Sequence, residues 1–167
     1  MKRILILSDS HGDTNRCINI INKFEGQLDA IIHAGDCVRD AEDLTYIFPD
    51  IPMHYVRGNN DIFTTAPGDL LVESSGVRIF ITHGHDYRVK YELKYTTLAE
   101  KAKKVGADLC VFGHTHMPYT DFVGNMIILN PGSIRFGGTY AVAEIENGKV
   151  KTAILDYYKA DFPVAAG

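Results

Sequence analysis

Residues 3–13 read RILILSDSHGD. A near-continuous apolar run of strand length stops at Ser8, and the polar stretch after it carries Asp9 and His11 two positions apart. From Thr14 to Phe24 the pattern turns helical, with Cys17, Ile18, Ile20, Ile21 and Phe24 at apolar positions, so strand, loop and helix are predicted in that order. The unit repeats. DAIIHAGD (29–36) ends a second short strand, AEDLTYIF (41–48) reads as a helix stopped before Pro49, and PMHYVRGNND (52–61) reads as a third strand with its own loop. Alternating strands and helices imply right-handed crossovers and a parallel sheet.

The second half has a different texture. DLLVESSGVRIFITHGH (69–85) reads as two strands joined at Ser75–Gly76. Residues 89–105 (VKYELKYTTLAEKAKKV) carry apolar side chains at helical spacing, lysines in the last turns where they favour a C-terminus, and Gly106 as a stop. ADLCVFGHTH (107–116) is another buried strand and loop. YTDFVGNMIILNPGS (119–133) and TYAVAEIENGKVKTAILDY (139–157) read as hairpins turning at Gly124–Asn125 and Asn147–Gly148. Parallel units followed by meanders predict an α/β (α+β) fold: two mixed β-sheets packed as a sandwich, with helices outside.

The chain has 167 residues, the size of one domain spanning 1–167, long enough to bury roughly 70% of the surface its unfolded form exposes. It is 46% apolar and 23% charged with no apolar run of membrane-spanning length, so a soluble globular protein is expected. The basic start followed by only a short apolar run reads as a buried strand and not as a signal peptide. Cys17, Cys37 and Cys110 are odd in number and lack CxxC spacing, which points away from a disulfide framework or thiolate zinc site and towards reduced thiols in the cytoplasm. A net charge of −4 argues against long nucleic acid as a partner, and the scattered aromatics show no periodic base-stacking row.

Most chemically capable residues fall where an apolar run stops. Asp9 and His11 follow LILS, Asp36 follows AIIHAG, Asn59 follows HYVRG, His83 and His85 follow RIFIT, and His114 and His116 follow LCVFG. Ligand sites in open α/β sheets gather at the carboxyl ends of strands, so these stops are expected to converge. In an extended segment residues i and i+2 point to one side, which would let D-x-H and H-x-H pairs reach one ion or a close pair of ions. Neighbouring glycines would let backbone approach that centre. Carboxylates, imidazoles and an amide oxygen without thiolate select Mn²⁺, Fe²⁺, Co²⁺, Ni²⁺ or Zn²⁺ over Mg²⁺ or Ca²⁺. Asp9, His11, Asp36, Asn59, His83, His114 and His116 exceed what one ion needs, whereas two ions sharing a bridging carboxylate would use them all.

The ordered set Asp9-Ser10-His11, Gly35-Asp36, Gly58-Asn59-Asn60-Asp61, His83-Gly84-His85 and Gly113-His114-Thr115-His116, followed by Asn130-Pro131-Gly132-Ser133, resembles the motif series of the calcineurin-like metallophosphoesterases, in their small bacterial and archaeal phosphodiesterase branch. The resemblance implies a four-layer αββα sandwich with a two-metal centre, Mn²⁺ foremost. It assigns Asp9, His11, Asp36 and His116 to one ion, Asp36, Asn59, His83 and His114 to the other, and the bridge to Asp36. The implied activity is hydrolysis of a small phosphodiester by a hydroxide bridging the two ions. In phosphatases of this superfamily the residue after the ligand Asn is usually His, a general acid whose orientation the following acidic residue helps to set. Here it is Asn60, which has no titratable proton to give near neutral pH, so phosphomonoesterase activity is expected to be weak or absent. Asp36, Asn59, Asn60 and His85 are the candidate catalytic residues, His85 either contacting substrate or filling a turn. Asp40 lies one residue off the usual spacing and receives no role.

Other residues have simpler readings. Asp9 or Asp13 could cap the helix beginning near Thr14. His33 and His54 read as core or sheet-surface histidines satisfied by hydrogen bonds, Cys37 as a small packed side chain, and Arg88, Lys90 and Lys94 as a solvated helix face. The alternative function is a non-catalytic protein-interaction scaffold, because a retromer subunit resembles this branch while carrying an impaired metal site. In the present chain every ligand position holds a competent residue. No membrane association is expected, and a homo-oligomer is compatible with the sequence.

Overall fold

Strand β1 (Lys2–Leu7) is buried on both faces, which is why RILIL shows no polar alternation. The computed structural model describes residues 1–159, so the last eight positions of the expected 1–167 unit lie outside the described residues. Along the chain follow α1 (Thr14–Lys23), β2 (Ala30–His33), α2 (Val38–Ile47), β3 (Met53–Tyr55), β4 (Asp69–Ser74), β5 (Val77–Thr82), a 3₁₀ turn (His85–Tyr87), α3 (Thr96–Lys104), β6 (Leu109–Val111), β7 (Tyr119–Val123), β8 (Met126–Asn130), β9 (Thr139–Glu146) and β10 (Lys149–Asp156). The strands form two five-stranded mixed sheets, ordered β10-β9-β1-β2-β3 and β4-β5-β6-β8-β7. β1, β2 and β3 are mutually parallel, as are β5, β6 and β8, and the hairpin partners add the antiparallel edges.

Side-chain alternation on β1 defines the layers. Ile4 and Ile6 face the second sheet, packing with Ile79, Ile81, Val111 and Leu129. Leu5 and Leu7 face outward onto Cys17, Ile20 and Ile21 of α1 and Leu44 of α2. On the far side, Phe80, Cys110 and Ile128 pack against Leu98, Ala99 and Ala102 of α3. The result is the four-layer αββα sandwich, each fully buried Leu, Ile or Phe contributing about 1.5–3 kcal/mol through its removal from water.

Local boundaries differ from the sequence expectations where a distant or off-pattern group intervenes. The helix expected over 89–105 begins only at Thr96. Tyr95 sits at φ +53°, and the Glu92 carboxylate accepts hydrogen bonds from Thr97 N (2.8 Å) and Oγ1 (2.6 Å), starting a new turn there. Tyr91 and Leu93, which completed the apolar period, are exposed at 83% and 97%. Helix α2 begins three residues earlier than AEDLTYIF suggests, because its first amides are capped from outside. The Asp61 carboxylate accepts N–H bonds from Asp36 (3.0 Å), Cys37 (3.2 Å), Val38 (2.8 Å) and Gly58 (2.7 Å). Cys37 is thus the left-handed cap residue of α2, and it is half-buried. At α1 the cap is Asp13, whose side chain accepts from Arg16 N at 3.2 Å.

Asp61 therefore pins the loop after β3 to the start of α2. Asp61→Ala should lower stability by about 2–3 kcal/mol, since four amides lose a charged acceptor, with Asp61→Asn intermediate. Urea unfolding reads this directly, and a loss below about 0.5 kcal/mol, the range of ordinary surface substitutions, would contradict it.

Candidate metal centre

The carboxyl ends of five parallel strands, three from the first sheet and two from the second, deliver the candidate residues to one place. Asp9 and His11 follow β1, Asp36 follows β2, Asn59 follows β3, His83 and His85 follow β5, and His114 and His116 follow β6. One donor atom each from Asp9, His11, Asp36 and His116 lie within 4.8 Å of one another, a group able to hold a metal ion. His11 Nε2 is 3.7 Å from both Asp9 Oδ1 and Asp36 Oδ2, and His116 Nε2 is 3.0 Å from Asp9 Oδ1. On the other side of Asp36, His83 Nε2 lies 3.4 Å from Asp36 Oδ2 and 3.1 Å from Asn59 Oδ1, with the His114 ring 5.0 Å from the His83 ring. All seven expected ligands are thus neighbours, and two imidazoles, of His11 and His83, lie within 4 Å of Asp36 Oδ2.

The spacing works differently from the extended-segment expectation. Asp9 (φ +51°), His11 (+43°), Asp36 (+56°), His114 (+67°) and His116 (+59°) all occupy left-handed backbone. Turns, not a straight strand, therefore aim the D-x-H and H-x-H pairs. Such conformations cost of order 1–3 kcal/mol each outside glycine and persist where the surroundings over-determine them. Asp9 N bonds Gly35 O (3.0 Å), Ser133 Oγ bonds Asp9 O (2.8 Å), and Asp9 Oδ2 accepts from His114 N (3.1 Å) and from Ser8 Oγ. Glycine is required at two close approaches: a Cβ on Gly58 would overlap the Asp36 carboxyl, and one on Gly113 would overlap Ser8 Oγ and Asp9 Oδ2.

The electrostatics call for a cation. Asp9 and Asp36 are nearly solvent-free, and buried Asp9 Oδ1 and His11 Nε2 have no hydrogen-bond partner. His83 Nδ1 donates to Ala34 O at 2.7 Å, which turns Nε2 towards the oxygens of Asp36 and Asn59. Burial pushes the His83 imidazolium down, but the Asp36 and Asp9 carboxylates outweigh it and the pKa rises. Burial likewise pushes the Asp36 carboxyl up, and the His83 and Asn60 donors more than reverse this, holding it below the usual carboxylate range. Burial, with His83 and Lys90, draws His114 down to about 4, so its ring is neutral at pH 7.

Asn60 donates from its backbone N to Asp36 Oδ1 (3.1 Å) and from Nδ2 to Asp36 Oδ2 (2.8 Å), orienting that carboxylate. His85 lies beside the cluster, its ring 5.5 Å from His83 and 6.1 Å from His114, with a buried, unpartnered Nδ1. Burial lowers its pKa.

Asp40 and His33 form a support that the sequence reading missed in part. Asp40 is buried and accepts from Ser10 Oγ (2.6 Å), Gly12 N (2.8 Å) and Thr14 Oγ1 (3.2 Å), clamping the Asp9–His11 turn. Since Ser10 Oγ donates to Asp40, it accepts from His33 Nε2 at 2.8 Å, while His33 Nδ1 accepts from Gly35 N at 3.2 Å. His33 is the hydrogen-bonded core histidine expected. The signal for Asp40 was its place in the first turn of α2, hidden because that helix starts early.

Comparison with known proteins agrees with the fold. Residues 1–148 match the calcineurin-like phosphoesterase superfamily domain, and the chain belongs to that family of metal-dependent phosphoesterases. It is 31% identical to the probable metallophosphoesterase YsnB of Bacillus subtilis over 159 residues, covering 92% of this chain and 90% of the relative. It is 28% identical to the phosphodiesterase MJ0936 of Methanocaldococcus jannaschii, with 78% and 82% covered. A crystal structure of a predicted phosphoesterase from Streptococcus pneumoniae superposes with a TM-score of 0.81 at 29% identity, covering 98% of this chain and 94% of that one.

Burial depresses the His33 pKa, while the unfolded chain restores it to about 6.5. Below that value the unfolded state binds the extra proton, so this part of the stability is present above about pH 6.5 and is lost as pH falls. In EDTA-treated protein, urea midpoints should fall between pH 7.5 and 5 more steeply for the wild type than for His33→Gln. Equal slopes would remove His33 from the linkage.

Proposed function

We propose that the protein is a two-metal phosphodiesterase acting on a small phosphodiester, with little phosphomonoesterase activity. The supporting observation is the pair of buried, unpartnered donors, Asp9 Oδ1 and His11 Nε2, facing Asp36 and His116 within 4.8 Å. Asp9, His11, Asp36 and His116 would hold one ion and Asp36, Asn59, His83 and His114 the other, a hard-oxygen and imidazole set suited to Mn²⁺ first, then Ni²⁺, Co²⁺, Fe²⁺ or Zn²⁺. When bound, such ions lower the pKa of water to supply a nucleophile and neutralise phosphoryl charge.

The chain's own residues set the rest. Asp36 Oδ2 lies 3.7 Å from His11 Nε2 and 3.4 Å from His83 Nε2, close to a member of each proposed ligand set, and Asn60 fixes the carboxylate's orientation. Asn60 offers a hydrogen bond but no proton to the leaving oxygen. Loss of a general acid forfeits about 10²–10⁴-fold, felt most by poor leaving groups. His85, beside the cluster, would contact substrate. Free Cys17, Cys37 and Cys110 support a reducing, cytoplasmic setting, and among the described residues no helix is long and apolar enough to cross a membrane.

EDTA-stripped protein should hydrolyse bis-(p-nitrophenyl) phosphate when Mn²⁺, Ni²⁺, Co²⁺ or Zn²⁺ is restored singly, and p-nitrophenyl phosphate far more slowly. Metal bound by direct analysis without turnover would favour the scaffold instead. Asp36→Asn should abolish turnover and lower the bound metal content; full turnover there would overturn the bridging assignment. Asn60→His should raise monoester hydrolysis relative to diester, and an unchanged ratio would show that Asn60 does not set the preference.

A further inference from the structure

Phe136 is an anomaly beside the cluster. Its ring lies 5.1 Å from that of His116, nearly parallel at 18°, and 5.2 Å from that of His11, yet 65% of the residue is open to solvent. An aromatic left mostly in water is ordinary on a loose loop, but this segment is braced. Phe136 N donates to Ser133 Oγ (3.0 Å), which itself donates to Asp9 O (2.8 Å). Arg135 N reaches Asp9 O (3.3 Å), Gly137 N reaches Ser133 O (3.1 Å), and Arg16 Nη1 holds Ile134 O (2.6 Å). The backbone that carries the ring is therefore tied to the Asp9 turn, and the ring forms an apolar plate at the edge of an otherwise polar centre.

We infer that Phe136 is a stacking platform that selects phosphodiesters whose retained arm, opposite the leaving group, carries a planar aromatic group of the nucleobase type over those whose retained arm is alkyl. This rests on the phosphodiesterase reading for where the phosphate sits. The parallel His116 ring leaves a stack with one open end, and a planar group joined to the phosphate by a short linker would continue it. Stacking is shape-selective: a flat π-face recovers the exposed area of the plate, while a flexible alkyl chain covers it poorly and loses rotamer freedom. Phe136 stands apart from the donor set, so its part is specificity and not chemistry.

The test compares thymidine 5′-(p-nitrophenyl phosphate) with ethyl p-nitrophenyl phosphate, which share a leaving group and differ in the retained arm. The Mn²⁺-loaded wild type should prefer the thymidine ester. In Phe136→Leu the ratio of kcat/KM values should fall about 5- to 150-fold, carried by KM, while Phe136→Trp keeps it. A wild type without preference, or a Leu variant whose ratio is unchanged because both substrates lose equally alongside bound metal, would overturn the platform and leave Phe136 as packing for His116. Calorimetric binding of thymidine 5′-phosphate against ethyl phosphate reads the same preference without turnover. A binding preference lost in Phe136→Leu upholds the platform even if neither ester is cleaved, an outcome that would refute the hydrolytic reading alone; equal binding of the two ligands refutes the platform.

Discussion

Two carboxylates, Asp9 and Asp36, are held almost wholly out of water within reach of the same imidazoles, and much of the surrounding structure serves that placement. An isolated buried carboxylate costs far more than a domain can spare unless positive charge or dense hydrogen bonding surrounds it. The local fold supplies both. Asn60, Ser8 and the His114 amide donate to these oxygens, and the imidazoles of His11, His83 and His116 approach them within 4 Å. Asp61 and Asp40, each gathering several donors, lie outside the cluster and fix the turns that carry its residues.

The same constraint explains why the layers meet as they do. Asp9 leaves the first sheet and His114 the second, and the hydrogen bond from His114 N to Asp9 Oδ2 ties the two sheets together where Gly113 allows the backbones to approach. The site is thus an inter-sheet joint, and the left-handed turns at Asp9, Asp36 and His114 are tied down by backbone N–H bonds to Gly35 O, Asp61 Oδ2 and Asp9 Oδ2.

Much of this was legible in the residues. Strand ends followed by D-x-H, G-D, G-N-N-D, H-G-H and G-H-T-H marked both the sheet topology and the donors, because a buried strand that stops at a polar, glycine-flanked residue has few purposes. What escaped was set by tertiary partners. Helix α2 starts at Val38 because Asp61, distant in sequence, caps it, and α3 starts at Thr96 because the left-handed backbone of Tyr95 interrupts the helix expected from Val89 and Glu92 caps Thr97. The pairing of Asp40 with Ser10 and Gly12 joins the first turn of α2 to the loop after β1, a proximity no local pattern encodes, and Phe136 carries no periodic signal at all.

The pairing of β1 also has a temporal side. Its one edge meets β2 almost at once, but its other edge is filled by β9, with Lys2 opposite Ile145 and Ile6 opposite Ala141. At ribosomal speeds the first strand waits roughly 10–30 s for that neighbour, an apolar ribbon with one ladder of amides unpaired. His114 and His116 emerge late as well, so the donor set is completed only shortly before the strand that closes the sheet. A nascent chain therefore passes through a stage in which its most adhesive edge is bare and its metal centre unbuilt, and a break in synthesis before β9 would release a fragment suited to aggregation and unable to complete its first sheet.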